Sequence, residues 1–375
     1  MKLTLPAAIL DKALARTERV IEKRNTIPIL SNIRLSAAPG LLEITGTDLD
    51  IELRTAIEAK VAEPGSTTLP ATMLKQIAAK AKGSDITIAV EGDEATITAG
   101  RARWSLQVLP ATDYPDFGLE EFPTRFNLPA PGLARMAAKL SFAISTEETR
   151  YYLNGIFFHR AGDALAAVAT DGHRLGRIHL PLPEGAGDGW PGVIIPRKAV
   201  AEIERLAGTA EAGADVTIEL SETKIRVTLD RTVLTSKLID GTFPDYKRVI
   251  PAPSENRATI DRSALAAAVD RVSTIAAEKG RAMKLEFSPR QLALSCTNPD
   301  AGIASETIEV EFTGEPATLG EPFTIGFNAR YVGEALARLE LASLVLDMPA
   351  PGSPARLHEP GKDEDFLIVL MPMRV

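Results

Sequence analysis

Three stretches of the chain open alike, each as a short strand pattern running into an amphipathic helix. They are KLTLPAAILDKALARTERV (2–20), RFNLPAPGLARMAAKLSFAI (125–144) and RATIDRSALAAAVDRVSTIA (257–276). A second unit of the same kind begins at TTLPATMLKQIAAKA (67–81), VIIPRKAVAEIERLAG (193–208) and FTIGFNARYVGEALARLE (323–340). Matching positions stay in phase: Thr47-Asp48 and Thr170-Asp171 lie 123 residues apart, and Pro70 and Pro196 lie 126 apart. Such a unit cannot bury its apolar face alone, so the copies must pack together. At 375 residues the chain also exceeds what one ordinary core serves. Hairpin chemistry follows the second helices. Ile86, Ile88 and Val90 alternate, EGDE (91–94) turns and ATITA returns; likewise Val216, Ile218 and Leu220 alternate before SETK (221–224), and Ile225, Val227 and Leu229 return. Joints fall where proline and charge gather, at DFGLEEFPTRF (116–126) and RVIPAPSENRAT (248–259). The reading is an α+β chain of three repeated domains, 1–122, 123–252 and 253–375, each with two helices packed on antiparallel sheets.

Several function classes are excluded. A composition of 45% hydrophobic and 25% charged residues is that of a folded chain. The single Cys296 allows no internal disulfide and no thiolate-only zinc site, and His159, His173, His179 and His358 lack metal-ligand spacing. Gly162, Gly172 and Gly176 form no phosphate-cradling loop. No cofactor and no metal are therefore expected. In ATDGHRL (169–175) the Asp-Gly pair is a turn, and His173 stands beside Arg174 without a nucleophile pattern or paired carboxylates, so the chain does not read as an enzyme. MKLTLPAAILDKAL has Asp11 inside its apolar run and no small-residue cleavage pattern, and no stretch approaches the roughly 20 apolar residues of a membrane span. A cytoplasmic location is expected, with no membrane partner.

Charge is distributed unevenly. The formal net charge is −8, yet Lys12, Arg16, Arg19 and Lys23 follow at helical spacings of four, three and four, with Arg24 at the helix end. Leu10, Ala13, Leu14, Thr17, Val20 and Ile21 fall on the opposite side. A solvated face explains one such helix. The other repeat helices lean the same way, with Lys75, Lys80 and Lys82, then Arg135 and Lys139, then Arg197, Lys198 and Arg205, then Arg262 and Arg271, and last Arg330 and Arg338. Equivalent helices would gather these cations on one concave surface, which attracts phosphates without reading bases. The run Leu367 to Met373 admits two readings. It is a core strand, or Met371 and Met373, flanking Pro372, line a groove for a partner, since methionine suits surfaces that accept several ligands.

The chain resembles the bacterial DNA sliding clamps, the beta subunit of the replicative DNA polymerase, over its whole length. The stretches that carry the resemblance are EKRNTIPILSNIRL (22–35), TGTDLDIE (45–52), RYYLNGIFF (150–158), ATDGHRL, TSKLIDGTFPDYKRVIP (235–251), IGFNARYV (325–332) and VLMPMRV (369–375). The resemblance implies a head-to-tail homodimeric ring around double-stranded DNA, bound without regard to sequence on the nucleoid. It implies processivity rather than catalysis. It also implies a pocket for short linear motifs of the replicative polymerase, the clamp loader and repair polymerases, formed by Leu153, Thr170, Gly172, His173, Arg174, Leu175, Pro244, Arg248, Val249, Tyr331, Val369, Met371, Pro372, Met373 and Arg374. Arg174, Arg248 and Arg374 are expected at its edge, around an apolar groove for a Leu or Phe anchor. DNA contacts are implied at Arg24, Arg150, Tyr151 and Tyr152, joined by the helix cations Lys12, Arg16, Arg19, Lys23, Lys198 and Arg205; one of the two tyrosines reads equally well as core. Glu147 and Glu148 stand where a polar amide would favour DNA, which predicts weaker contact there. The dimer contact is implied between Arg101, Arg103, Trp104 and Leu106 on one side and Thr274, Ile275, Asp300 and Glu306 on the other. Trp104 as a core residue is the competing reading. With Gly302, Ile303 and Ser305 uncharged, ring stability is expected to lean on apolar packing. The alternative for the whole molecule is an internally repeated protein-binding scaffold that does not encircle DNA.

Overall fold

The computed structural model describes residues 1–22, 26–118, 120–187, 190, 192–276, 282–314 and 322–375. Among these, six α-helices recur in pairs: α1 (Ala7–Thr17), α2 (Ala71–Lys80), α3 (Ala130–Leu140), α4 (Arg197–Gly208), α5 (Arg262–Val272) and α6 (Ala329–Leu336). The strands between them pair antiparallel. The chain divides into two compact units, Met1–Leu133 with Pro183–Asp188 and Glu202–Leu238, and Ala134–Leu182 with Gly189–Ala201 and Ile239–Val375.

The first unit holds a five-stranded sheet ordered Lys60–Glu63, Lys2–Pro6, Asp85–Glu91, Glu94–Ala99 and Ala102–Gln107. Its second sheet has eight strands, in which Ile51–Glu58 pairs with Thr232–Lys237 and so joins two of the sequence repeats. Leu3 and Leu5, alternating along the first strand, meet Leu10, Ala13 and Leu14 of α1 and Leu74, Ile77 and Ala78 of α2 in one core. The two periods, two for the strand and 3.6 for the helix, therefore aim the same apolar side inward. The hairpin at 91–94 forms as its pattern predicts, with Glu91 opposite Glu94 and Gly92 at φ +57°, a left-handed turn position that glycine occupies without steric cost.

One expectation fails here. α1 ends at Thr17, whose hydroxyl donates back to the Ala13 carbonyl at 3.2 Å; Glu18–Val20 tightens into a 3-10 turn and Ile21 is extended. Only Lys12 and Arg16 thus share the α-helical face, Arg19 sits on the following turn, and Lys23 and Arg24 lie outside the described residues.

A sheet of twelve strands organises the second unit, in the order Val193–Pro196, Gly155–Ala161, Ala164–Thr170, Arg174–Pro181, Phe366–Leu370, Ala355–His358, Ser343–Asp347, Arg257–Asp261, Gly302–Thr313, Gln291–Asn298, Ala282–Ser288 and Phe323–Asn328. Phe366–Leu370 lies inside it, flanked on both edges and buried at every residue. A strand covered on both faces carries no polar alternation, which explains the unbroken apolar run. The core-strand reading therefore holds for 366–370.

The sequence repeat extends to single atoms. Asp48 Oδ1 accepts from the Asp50 and Ile51 amides at 2.9 Å each, and Asp171 Oδ1 accepts from those of His173 at 2.9 Å and Arg174 at 3.0 Å. Thr47 and Thr170 donate their hydroxyls to the carbonyls of Ile51 and Arg174, at 2.9 and 2.7 Å. The third residue of the turn is left-handed in both, Leu49 at φ +82° and Gly172 at φ +87°.

Candidate functional site

The turn at 170–174, the end of the 366–370 strand and the 3-10 turn Tyr246–Val249 enclose a cavity of about 180 Å³ within the second unit. Its walls are Leu153, Thr170, Gly172, Arg174, Leu175, Pro244, Val249, Val369 and Met371, all anticipated, together with Asp245 and Tyr246, which were not. Leu153, Leu175, Tyr246 and Val369 also belong to the core cluster beneath, so the floor is preorganised by packing. Val249 and Met371 remain 44% and 39% exposed and give the mouth an apolar rim.

The other anticipated pocket residues lie around this cavity rather than in its wall. His173 stacks on Tyr331 with centroids 6.0 Å apart. Arg248, on the outer side, pairs with Asp245 at 2.9 Å. Met373 donates its amide to the Gly326 carbonyl at 2.8 Å, and Met371 donates to that of His173 at 2.9 Å, so the segment leaving the strand is pinned on both sides of Pro372. Arg374 is exposed beyond them.

Arg174 is a correction. It does not offer its charge at the edge but is buried, paired with Asp171 at 3.0 Å and with Glu334, and its guanidinium lies 4.4 Å from the Tyr331 ring centre and 5.1 Å from that of Phe142. A buried cation requires such partners, and here they spend its charge on holding the pocket together. Burial alone would raise the Glu334 carboxyl, but hydrogen bonds from Arg330 and Arg174 hold it below the ordinary carboxylate range.

Most helix cations are likewise engaged. Lys75 pairs with Glu18, Lys82 with Asp11 at 2.9 Å, Arg205 with Glu202, and Arg271 with Glu306. Lys139 is buried, donating to the Arg338 carbonyl at 2.6 Å and pairing with Glu340 at 3.1 Å, and desolvation pushes its pKa down. The uniform cationic face drawn from helix positions is therefore too generous. Among the described residues Lys12, Arg16 and Arg19 make no ion pair, Lys12 and Arg19 being exposed. Lys198 is half-exposed on α4.

Arg150 donates to Glu147 through Nε at 2.8 Å and Nη2 at 2.6 Å, and these bonds hold the Glu147 carboxyl below its usual range. One member of the acidic pair flagged in the sequence, Glu147, thus occupies the loop's own arginine. The two tyrosines separate: Tyr151 is 53% exposed, whereas Tyr152 packs against the pocket core.

On the first unit's five-stranded sheet, Ala102–Gln107 is an edge strand with Arg101 and Arg103 exposed and Trp104 and Leu106 half-buried against the core. In the second unit, residues 302–309 pair on one side with Gln291–Asn298. Thr274 and Asp300 are exposed nearby, Ile275 accepts from Asn298 at 2.8 Å, and Glu306 is held by its own Arg271. Both carboxylate oxygens of Glu306 are used in that pair.

Three family models for the DNA polymerase III beta subunit match in order, the N-terminal domain at residues 1–118, the central domain at 127–245 and the C-terminal domain at 247–374. The chain belongs to the beta sliding clamp family. It is 44% identical over its full length to the beta sliding clamp of Caulobacter vibrioides and 33% identical to that of Escherichia coli, in each case covering all of both chains. Among solved structures, a sliding clamp from Bartonella birtlesii bound to griselimycin superposes with a TM-score of 0.95 at 43% identity, covering all of both chains. A Caulobacter crescentus beta sliding clamp, with polyethylene glycol bound in a region proposed for beta-motif tethering, superposes at 0.94 with 44% identity, covering all of this chain and 99% of that one. Beta sliding clamps serve DNA polymerase III as processivity factors and are not themselves catalytic.

Proposed function

We propose that two copies of this chain close head to tail into a ring around duplex DNA, and that the 180 Å³ pocket tethers DNA polymerase III, the clamp loader and repair polymerases through short extended peptides. The pocket carries the reading. It is apolar, it is built on a rigid core, and its rim includes flexible methionine, which suits a surface that must receive several partners in turn. Its apolar walls suit a Leu or Phe anchor, and Arg248 at the outer side is available to an acidic flank once it exchanges Asp245 for the ligand.

Closure of the ring is supported by two sheet edges that are unpaired among the described residues, Ala102–Gln107 and residues 302–309. Arg101, Arg103, Trp104 and Leu106 would meet Thr274, Ile275, Asp300 and Glu306 of a second copy, a heterologous contact that closes when each chain spans half a circle. With Glu306 already paired to Arg271, apolar contact by Trp104, Leu106 and the 75% exposed Ile303 contributes the larger share. Phosphate contact is assigned to Lys12, Arg16, Arg19, Lys198 and Arg205, with Lys23 and Arg24 beyond them, and weaker contact to Arg150, Tyr151 and Tyr152. The proposed domain limits are 1–122, 123–252 and 253–375, and the place of action is the nucleoid.

A protein-only scaffold is the second reading, favoured by the ion pairs that occupy Lys75, Lys82 and Arg205. Retention on nicked circular and on linearised plasmid decides between them, after incubation with a matched clamp loader and ATP in salt high enough to screen phosphate contacts. Retention on the circle and loss from the linear form is the expected result. Equal loss from both overturns the ring.

A further inference from the structure

Behind the Tyr246 wall of the pocket stands His159, on strand Gly155–Ala161. Its Nδ1 lies 2.8 Å from the carbonyl oxygen of Arg160, which can only accept, so Nδ1 carries a proton. Nε2 lies 3.1 Å from the Tyr246 hydroxyl. A ring protonated at Nδ1 alone offers a lone pair at Nε2, and the phenol donates to it. The imidazole is also one member of an aromatic column: it stacks on Phe157 with centroids 4.6 Å apart, and Phe157 stacks on Phe243 at 5.0 Å. Tyr246 is 6% exposed, so the orientation of its ring is set by that packing and by its hydroxyl.

We propose that His159 is a positioning residue of the partner pocket: by accepting the Tyr246 phenol proton it fixes the pocket wall, and a second proton on His159 weakens the grip on apolar peptide anchors. The inference rests on the pocket reading given above.

With Nε2 protonated, both ring nitrogens donate, and the phenol proton loses its buried acceptor, an unmade bond that costs more than the bond itself contributes. The new cation would face Lys247, next to Tyr246, and His179, which shares a cross-strand row with His159 through Ala166; Arg177 and Asp245 act on Tyr246 itself. Burial pushes the His159 pKa down, the Arg160 carbonyl opposes this, and Lys247 adds to the depression. The neutral arrangement, protonated at Nδ1 alone, therefore prevails at the ordinary histidine value of about 6.5 and is lost only below it, as pH falls through the lowered His159 pKa.

The test is fluorescence anisotropy on the full chain with a blocked, labelled pentapeptide that carries Leu and Phe and no ionisable side chain, at pH 7.5 and 5.5. Wild type should bind more weakly at the lower pH. His159→Phe, which keeps the stack, and Tyr246→Phe, which keeps the ring, should each bind roughly 3- to 10-fold more weakly at pH 7.5 and lose the pH step. His159→Gln, which restores an acceptor, should recover the pH 7.5 affinity without the step. His173 at the pocket rim is present in every variant, so its contribution cancels in the comparison. If all four proteins bind alike and share one pH profile, the inference falls and the pocket assignment stands. If wild type does not bind the peptide at pH 7.5, the pocket assignment falls and this inference with it. Imidazole ¹⁵N shifts of wild type at pH 7.5 provide a check without variants: the Nδ1–H form supports the proposal, and an Nε2–H form or an imidazolium overturns it.

Discussion

Leu49 occupies the left-handed position that glycine fills in the equivalent turn of the next repeat, and it does so 40% exposed. A left-handed non-glycine residue costs roughly 1–2 kcal/mol. Leu49→Gly should relieve that strain, and since glycine's extra chain entropy returns roughly 0.5–1 kcal/mol, the net gain should stay within about 1 kcal/mol, read as a small rise in the urea midpoint. Asp347 represents the opposite case. Fully buried, it accepts from Arg257 at 2.7 Å, from Arg356 at 2.9 and 3.1 Å, and lies 3.2 Å from His358 Nε2. Burial alone would raise its carboxyl, but bonds from His358, Arg257 and Arg356 hold it well below the usual range. Asp347→Asn leaves two guanidinium groups short of their counter-charge and should destabilise by about 3–5 kcal/mol at pH 7. A depressed carboxyl contributes stability that is present above its unfolded pKa of about 4 and is lost as pH falls toward the folded value. The gap between the urea midpoints of wild type and variant should therefore narrow below about pH 4.

Among the elements, the one leading into the tail divides its labour at residue 370. Phe366–Leu370 is core, whereas Met371 to Val375 is held by the Met371 and Met373 amides and faces the pocket mouth and solvent. Deleting 371–375 should leave a folded chain, by circular dichroism and thermal melting, that no longer binds a peptide; unfolding instead would make these residues core. A finer test is Gly326, where an added Cβ would lie 2.6 Å from the Met373 carbonyl oxygen and against Val375. Gly326→Ala should push the segment outward and weaken peptide binding roughly tenfold, an effect of about 1.4 kcal/mol, with little change in melting.

At the scale of the whole molecule, a net charge of −8 and a DNA-facing role are compatible only if cations are segregated. The ion pairs on α2, α4 and α5 leave Lys12, Arg16 and Arg19, together with the exposed Lys80 and Arg197, as helix cations without an ion pair among the described residues. Neutralising Lys12, Arg16, Arg19 and Lys23 together should abolish loader-dependent retention on circular DNA while the dimer persists in sedimentation. Intact loading would remove these residues from the DNA-facing surface. The same segregation limits adhesion, because a few phosphate contacts are readily screened and permit movement along the duplex.

The three-fold repeat, the two hairpins, the apolar strand and the motifs of the family were legible in the sequence because each is local or periodic: neighbouring residues fix turn chemistry and side-chain phase. Nine of the cavity's residues, from Leu153 to Met371, followed from those motifs. The sequence could not assign Arg174 to the interior, since that depends on Glu334, 160 positions away, and on the Phe142 and Tyr331 rings. Nor could it couple His159 to Tyr246 or cancel Lys75 against Glu18. Whether a charge is spent or available, and whether an imidazole donates or accepts, depends on desolvation and on partners within a few ångströms, and only the tertiary structure brings those together.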